Sequence, residues 1–306
     1  MNVLVTGGAG YIGTELVNLL LTSPSINKIV VYDNLSRGNY NFFLGQKFPD
    51  SQKLSFVKGE LLDSRSLRKA LDGIDVVYHL AAKATTPFVS TDAHVYEQVN
   101  HWGTAELVYA VEESNVKCFI YTSSTGVYGS SSEAVDETVI PDPKTPYAIS
   151  KLRGEDHVRR LGRKIETYIL RCGNVYGYSK SMRFDAVINK FVFEANVDKR
   201  VTVQGDGKQS RSFIHVDLLA GALNRMLTET LPSGTYNVVE RSLKVFDVVD
   251  VLKQLIPSLE FIFINQHMSL HQLTVKENTV INEKLKIHNA KTLSEELTEF
   301  ISKFSF

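Results

Sequence analysis

The chain has 306 residues, enough for one large α/β domain or two small ones. Its 34 Lys and Arg residues balance 34 Asp and Glu residues, so there is no general attraction to polyanions and nucleic acid is not expected as a partner. Hydrophobic residues make up 43% and charged residues 22%, which is typical of soluble globular proteins and excludes a disordered or collagen-like chain.

The cysteines and the N-terminal residues indicate in which cellular compartment the protein is expected. Cys118 and Cys172 fall in apolar segments, which favours buried free thiols over a disulfide. Residues 1–6 lack the positive start of a secretory signal, and no apolar run approaches the roughly 18 residues of a membrane span. We therefore expect a cytoplasmic protein with no membrane partner. The eight histidines show no H-E-x-x-H spacing, and we expect no metal.

Strands and helices alternate along the first part of the chain. Continuous apolar runs of strand length lie at 2–6, 28–33, 54–58, 76–80, 117–123 and 166–171. Segments with helical periodicity lie between them at 11–21, 64–71, 94–114 and 146–161. Continuous apolar strands are typical of a parallel sheet that is buried on both faces. The order predicts an α/β protein with a doubly wound Rossmann parallel sheet.

The regular alternation weakens after about residue 175. The elements predicted beyond it are a helix at 183–196, strands at 200–204 and 209–214, and a turn at 205–207. A helix at 216–227 and a strand at 235–239 can return to the first sheet. We therefore expect residues 1–172, with 212–240 returning to them, to form the Rossmann domain. Residues 173–306 are expected to form a smaller C-terminal lobe that binds the substrate.

A glycine-rich loop follows the first strand and opens the first helix. Residues 6–13, Thr-Gly-Gly-Ala-Gly-Tyr-Ile-Gly, contain Gly-x-Gly-x-x-Gly. Such glycines let the backbone approach a pyrophosphate, which the helix N-terminus attracts through its N–H groups and dipole. Asp33 ends the second strand, where a carboxylate accepts hydrogen bonds from ribose hydroxyls and repels a 2′-phosphate. The loop therefore predicts NAD rather than NADP; Arg37 is the nearest residue that could accommodate a phosphate, with a solvated loop arginine as the favoured alternative.

A phenol and an ammonium lie four residues apart at Tyr147 and Lys151, on one face of the helix that Pro146 opens. The phenol, with a reference pKa of about 10, needs a pKa near 7 to act as a base at neutral pH. Lys151 and the positive nicotinamide of oxidised NAD both favour the phenolate. Ser124 ends the preceding strand and brings a hydroxyl near them. An ordinary amphipathic helix is the alternative for an isolated Tyr-x-x-x-Lys match.

Several short sequence blocks, in their order along the chain, resemble those of the extended short-chain dehydrogenases/reductases. This is the family of NAD-dependent nucleotide-sugar epimerases and dehydratases. The resembling blocks are 6–13, 33–35, 79–82, 122–129, 146–151, 170–177 and 205–217, and they span residues 1 to about 240. The resemblance implies a Rossmann fold, NAD as cofactor, a nucleotide-diphosphate sugar as substrate, and a homodimer.

The resemblance also implies catalytic and substrate roles. Tyr147 would take a proton from a sugar hydroxyl, commonly at C4, while Ser124 hydrogen-bonds the same oxygen and Lys151 holds the nicotinamide ribose. The residues implied to touch the substrate are Thr85, Ser124, Tyr147, Asn174 and Arg211, the last two at the diphosphate. Arg183 is a further candidate, for which a structural salt bridge is an equal alternative.

Cofactor contacts are implied in the same way. The residues are Gly7, Gly10, Tyr11, Ile12, Gly13, Asp33, Asn34, Glu60, Leu61, Leu80, Ala81, Ala82 and Lys83, together with Tyr147 and Lys151. Glu60 stands where the family generally has an Asp that faces the adenine amino group. Lys83 and Thr85 follow a strand end, and a solvated loop is the alternative for both.

Two residues narrow the chemistry. Family dehydratases carry an Asp-Glu pair directly after the Ser or Thr that corresponds to Ser124, whereas this chain has Thr125 and Gly126. Elimination of water therefore lacks its acid and base, and C4 epimerisation through a transient 4-keto sugar is favoured. A 4-ketoreductase or dehydrogenase of the same family is the alternative. A non-catalytic NAD-binding regulator is less favoured, because it has no use for a base.

Overall fold

The computed structural model describes residues 1–38, 40–44, 48, 50–84, 92–265, 272–288 and 290–305. The strands in these ranges are β1 (Asn2–Thr6), β2 (Lys28–Asp33), β3 (Leu54–Lys58), β4 (Val76–His79), β5 (Cys118–Ser124), β6 (Glu166–Cys172), β7 (Asn174–Tyr176), β8 (Arg200–Gln204), β9 (Ser210–His215), β10 (Gly234–Val238), β11 (Arg241–Lys244) and β12 (Glu260–Ile264). The α-helices are α1 (Tyr11–Thr22), α2 (Ser64–Ala70), α3 (Ala93–Tyr96), α4 (Gly103–Glu112), α5 (Pro146–Leu161), α6 (Val187–Val197), α7 (Val216–Arg225), α8 (Val245–Leu255), α9 (Thr279–Leu285) and α10 (Leu293–Ile301).

Parallel strands form the central sheet, in the order β10-β6-β5-β4-β1-β2-β3. The chain winds outward in one direction from β1 through β2 to β3 and in the other from β4 to β10, so β1 and β4 flank the switch point. Strand β10 pairs with β6 in parallel register, with Gly234 opposite Tyr168 and Val238 opposite Cys172. The predicted doubly wound fold is confirmed, and ligands of such sheets bind beside the switch point.

Helices cover both faces of the sheet, which is why its strands are apolar throughout. One face packs on α1 and α7 through the buried residues Leu16, Leu20, Leu219, Ala222 and Leu223. The other packs on α2, α4 and α5 through Leu67, Leu107, Val111, Val158 and Leu161. Within the described residues, no helix has the length and apolar character needed to cross a membrane. Cys118 and Cys172 are free thiols.

Smaller sheets follow β6. Strands β11, β9 and β7 form one, and β12 pairs with β8 in another. Helices α6, α8 and α10 enclose a separate apolar core around Phe191, Phe213 and Phe300. Helix α9 lies apart from this core, because its Ile281 and Leu285 pack among the residues under the central sheet. The division at residues 172 and 173 stays a prediction.

The segment predicted as one helix at 94–114 is interrupted. Residues Glu97–Trp102 form a π-helical turn, which ends where the Gly103 N–H donates to the Gln98 carbonyl. A π-turn adds one residue and rotates the following face, and periodicity alone does not reveal it. Asn100 lies within this turn, and its polar side chain is buried.

The helix predicted from residue 183 begins later, at Val187. Ala186 is its N-cap, with an extended ψ of 141°. Arg183 is held before the helix, since its Nε donates to Asp185 at 3.0 Å. A local ion pair thus replaces the expected first turn.

A buried ion pair ties α5 to the sheet. The Glu155 carboxylate accepts two hydrogen bonds from Arg171 on β6, at 3.0 and 2.8 Å. The Ser123 hydroxyl on β5 donates to the same carboxylate at 2.6 Å. Glu155 is completely buried and Arg171 nearly so. The pair fixes β5, β6 and α5 against one another, one helical turn from Lys151.

Replacing Glu155 tests this connection. The change Glu155→Gln leaves the Arg171 charge buried without a counter-ion, so we expect the free energy of unfolding to fall by about 3–5 kcal/mol. The control is Glu260→Gln, which removes an exposed partner of Arg200 at 3.0 Å and costs under about 1 kcal/mol. Urea titrations of both variants measure the difference. Equal losses would contradict the role given to Glu155.

Candidate active site

A cavity of about 690 Å³ opens at the carboxyl edge of the central sheet, between the sheet and the strands that follow β6. The predicted residues that line it are Gly7, Gly10, Tyr11, Ile12, Gly13, Asp33, Asn34, Glu60, Leu61, Leu80, Ala81, Ala82, Lys83, Ser124, Tyr147, Lys151, Asn174 and Arg211. Thr85 lies outside the described residues. The fold thus brings together residues that lie far apart in the chain, from Gly7 to Arg211.

The turn between β1 and α1 has the shape of a phosphate cradle. Gly7 has a φ of +70°, and a Cβ on Gly13 would lie 2.3 Å from the Gly7 carbonyl oxygen. Gly10 is the N-cap of α1 and provides no side-chain cap to the first turn. N–H groups at a helix start with no side-chain cap attract anions. The turn therefore fits the pyrophosphate of a dinucleotide.

Tyr11 lines the cavity, but its hydroxyl has a structural role. It donates to the Gly177 carbonyl at 2.7 Å and accepts from Asn189 at 3.1 Å. These bonds tie the start of α1 to the segments after β7. The backbone of Tyr11, rather than its phenol, belongs to the cradle.

Asp33 lies beneath the glycine turn. Its carboxylate accepts hydrogen bonds from the Ala9 N–H at 3.1 Å and the Leu35 N–H at 2.8 Å. Burial raises the pKa of this carboxyl, and the two N–H donors oppose that rise. At the rim, the Asn34 amide donates to the Glu60 carboxylate at 3.0 Å. These groups fit the ribose and base end of NAD, with a carboxylate at the position that disfavours a 2′-phosphate.

Asn100 holds the loop after β4 in place. Its Oδ1 accepts from the Lys83 N–H at 2.8 Å, and its Nδ2 donates to the Lys83 carbonyl at 3.0 Å. The same Nδ2 donates to the Ser150 hydroxyl at 3.0 Å, next to Lys151. Sequence reasoning missed this residue. The sequence offers no distinguishing signal, because Asn100 lies among other polar residues such as Gln98 and His101.

Tyr147 and Ser124 both line the cavity. Burial raises the pKa of the Tyr147 phenol, while the positive charge of Arg183 and the nearby Ser124 hydroxyl act to lower it. The sequence suggested Lys151 as the cation that favours the phenolate. In the structure, Arg183 is the cation that lowers this pKa.

Lys151 is almost completely buried beside this pair. Burial lowers the pKa of its ammonium to about 7, while Cys172 and Glu155 act to raise it. A lysine with this pKa is about half protonated at neutral pH. Its charge therefore depends on what else the cavity provides, which includes the sulfur of Cys172 at the end of β6.

Arg211 and Asn174 lie on neighbouring strands at the other side of the cavity. The Asn174 amide donates to the Ser212 carbonyl at 3.0 Å. The Arg211 Nε is buried without a hydrogen-bond partner among the described residues, and burial lowers the pKa of its guanidinium. A buried donor of this kind is unfavourable unless an acceptor arrives. The geometry therefore fits an anionic ligand.

Arg183 lines the same cavity and forms an ion pair, which is the structural alternative open for it, while its contact with the substrate stays a prediction. Asp185 accepts from Arg183 and lies 3.8 Å from an Nη atom of Arg37. Arg37 follows β2, so this contact spans the mouth of the cavity. No group of three or more His, Cys, Asp or Glu side chains that could hold a metal occurs in the described ranges.

Comparison with known proteins places the chain among sugar-nucleotide enzymes. The family model "NAD dependent epimerase/dehydratase family" matches residues 3–239. A protein of Bacillus subtilis named as an uncharacterized UDP-glucose epimerase is 30% identical over 260 residues, covering 82% of this chain and 81% of that one. The dTDP-D-glucose 4,6-dehydratase of Mus musculus is 32% identical over 243 residues, covering 77% and 67%.

A solved structure of a sugar-nucleotide enzyme is also similar to this chain. The UDP-glucuronic acid 4-epimerase of Bacillus cereus, crystallised with UDP-glucuronic acid and NAD, superposes with a TM-score of 0.86 at 27% identity. The match covers 99% of this chain and 98% of that one. It extends through the segments after residue 239, where the family model stops.

The glycine turn can be tested without an activity assay. In Gly13→Ala the added Cβ collides with the Gly7 carbonyl, so we expect a loss of about 1–3 kcal/mol in unfolding free energy. We also expect NAD to give no thermal stabilisation. In the control, Gly234→Ala, the added Cβ approaches nothing nearer than 3.7 Å, and stability should stay within about 0.5 kcal/mol. Normal NAD binding by Gly13→Ala in calorimetry would refute the cradle.

Proposed function

Because the chain belongs to the NAD-dependent epimerase/dehydratase family, we propose that it is a nucleotide-sugar 4-epimerase. Its reaction would invert C4 of a nucleotide-diphosphate hexose through a transient 4-keto sugar. The observation that carries this proposal is the meeting of Ser124, Tyr147 and Lys151 in the cavity that the glycine turn also lines. The chain is an enzyme of this family, and NAD is its cofactor.

The side chains divide the chemistry among them. Bound NAD supplies a hydride acceptor and then a hydride donor. Tyr147 removes the proton from the C4 hydroxyl and returns it, and Ser124 orients the same oxygen. Arg183 favours the phenolate electrostatically. Lys151 holds the nicotinamide ribose through its ammonium.

The substrate's diphosphate would lie at Arg211. Its buried Nε lacks an acceptor within the described residues, and a phosphate oxygen would supply one. Asn174 is on the adjacent strand and lines the same cavity. UDP-glucose and UDP-glucuronic acid, named for the relatives, are the first substrates to examine.

The dehydratase relatives raise a second candidate reaction. Thr125 and Gly126 line the cavity directly after Ser124, and neither carries a carboxylate. Elimination of water needs an acid and a base at the C5–C6 side of the sugar, so its chemistry is disfavoured here. A one-way ketoreductase uses the same three residues as an epimerase. It consumes NADH at each turnover, whereas an epimerase restores its cofactor.

Activity and the role of Tyr147 can be tested together. Purified protein with UDP-glucose or UDP-glucuronic acid should form the C4 epimer, detected by chromatography, with no net change in NADH absorbance. Tyr147→Phe removes the proton acceptor, and we expect kcat to fall by at least about 100-fold.

The matched control is Tyr168→Phe, which removes a hydroxyl bonded to the Leu231 carbonyl outside the cavity. It should keep a kcat within about twofold of wild type, as expected of a change remote from the site. Unchanged epimerisation by Tyr147→Phe would refute the assigned base. Stoichiometric formation of NADH from added NAD would instead identify a one-way dehydrogenase, because C4 of both substrates is an alcohol.

We also propose that two copies associate through α4 and α5. Trp102 is 55% exposed and Tyr109 is 44% exposed on this face. Ion pairs of Arg153 with Glu97, and of Arg160 with Glu112, lie beside them. Aromatic residues within a polar rim are typical of interfaces. The cytoplasmic location stays a prediction.

The association can be tested by replacing the exposed aromatic side chains of this face with negatively charged ones. Trp102→Glu combined with Tyr109→Glu should convert a dimer to a monomer in sedimentation equilibrium, because buried like charges repel across a twofold axis. Val280→Glu, at an exposed apolar residue of α9, is the control and should leave the mass unchanged. A monomeric wild-type protein would contradict the proposal.

A further inference from the structure

Lys151 lies on an aromatic ring. Its Nζ is 4.2 Å from the centroid of the Tyr121 ring. Lys151 is 2% exposed and Tyr121 is 0% exposed, so solvent does not separate or screen them. An ammonium at this distance over a ring face makes a cation–π contact, which is strongest when both groups are desolvated.

A second ring supports the first. His79 of β4 stacks on Tyr121 of β5, with ring centroids 5.4 Å apart and an interplanar angle of 26°. The His79 nitrogens lie 2.7 Å from the Thr6 hydroxyl and 2.8 Å from the Thr104 hydroxyl. Burial holds the pKa of His79 well below its usual range, so the imidazole is neutral and does not repel Lys151. Thr6 directly precedes the glycine turn, so the stack starts at the cofactor cradle.

A notch in α5 receives the other end of Tyr121. The Tyr121 hydroxyl donates to the backbone carbonyl of Lys151 itself at 3.3 Å. A Cβ at Gly154 would lie only 2.5 Å from that hydroxyl oxygen. The missing side chain at Gly154 therefore lets the phenol reach α5. The ring is thus fixed relative to the lysine that it supports.

Lys151 has few other means of stabilising its charge. Among the described residues, no carboxylate lies within ion-pair distance of its Nζ. Glu155, the nearest carboxylate by chain position, is already bonded to Ser123, Arg171 and Arg159. Burial of an ammonium without a counter-ion favours loss of its proton. Cys172 and Glu155 oppose this loss electrostatically. The Tyr121 ring is in direct contact with the ammonium and opposes the loss as well.

We propose that Tyr121 is a positioning residue, whose ring face keeps the Lys151 ammonium charged and places it beside Tyr147 and the cofactor cradle. The inference rests on the proposed function, because Lys151 acts there with Tyr147. It adds a residue on the strand below the cavity that touches neither sugar nor cofactor. The hydroxyl anchors the ring, whereas the ring face does the electrostatic work.

A fluorinated series separates the ring's charge distribution from its volume. Phe, 4-fluoro-Phe, 3,5-difluoro-Phe and 3,4,5-trifluoro-Phe at position 121 have similar size but progressively weaker negative ring faces. Each protein, labelled with carbon-13 at lysine Cε, is titrated by NMR, and the Lys151 signal is assigned by its absence in Lys151→Met. We expect the Lys151 midpoint to fall at each added fluorine.

Removing the aromatic ring of Tyr121 tests its whole effect on the Lys151 titration midpoint. Tyr121→Leu should lower the Lys151 midpoint by about 0.4–1.5 pH units, a threefold to thirtyfold change in proton affinity. Tyr121→Phe, which keeps the ring, should stay near wild type. The alkaline limb of kcat should move to lower pH in the same order, since Lys151 loses its proton earlier. Tyr168→Leu is the control for loss of a buried tyrosine and should move neither quantity.

The outcomes are distinct. A Lys151 midpoint that is constant across the fluorinated series overturns the proposal, as does an equal shift in Tyr121→Phe and Tyr121→Leu. If Tyr121→Leu does not fold, the fluorinated series decides by itself. If wild-type protein converts no sugar nucleotide, the proposed function fails, and the NMR titration still tests the contact between Tyr121 and Lys151.

Discussion

Every strand of the central sheet is parallel, and the chemistry depends on this constraint. Parallel strands with helical crossovers end at one edge, so the residues after β1, β2, β4, β5 and β6 converge there. That convergence places the glycine turn, Asp33, Ser124 and Cys172 around one cavity. Helix α5 then adds Tyr147 and Lys151 from the covering layer. An antiparallel sheet of the same residues would divide them between two edges.

Three cations near this edge, two of them buried and Arg211 partly buried, are stabilised in three different ways. Arg171 is paired with Glu155, so it is neutralised permanently and serves the fold. Lys151 rests on the Tyr121 ring, which supports the charge weakly and leaves it able to titrate. The Arg211 Nε has no acceptor among the described residues, and a ligand would complete it. The extent of compensation follows the use: full for the structural Arg171, partial for Lys151 beside the cofactor cradle, and withheld at Arg211 for binding an anion.

The sequence predicted the framework well because local pattern determines it. Strands β1, β2, β3 and helix α5 begin and end at the predicted residues, where apolar runs meet Gly, Asp or Pro. The π-turn at Glu97–Trp102 and the late start of α6 were missed, since each depends on contacts made only after folding. The same limit applied to Tyr121. The sequence placed Tyr121 in a predicted strand. Its position under Lys151 could not be predicted, because it depends on the space left at Gly154.

A chain with zero net charge can still bind two diphosphates, because its charges are distributed unevenly. The described residues that line the cavity include the cations Arg37, Lys83, Lys144, Lys151, Arg183 and Arg211, against the acids Asp33, Glu60 and Asp185. Each acid is engaged: Asp33 by backbone N–H groups, Glu60 by Asn34, and Asp185 by Arg183. The field inside the cavity is therefore positive although the whole molecule is neutral. The rest of the chain then has no excess of positive charge to attract polyanions indiscriminately, so selection for a sugar diphosphate rests on the cavity.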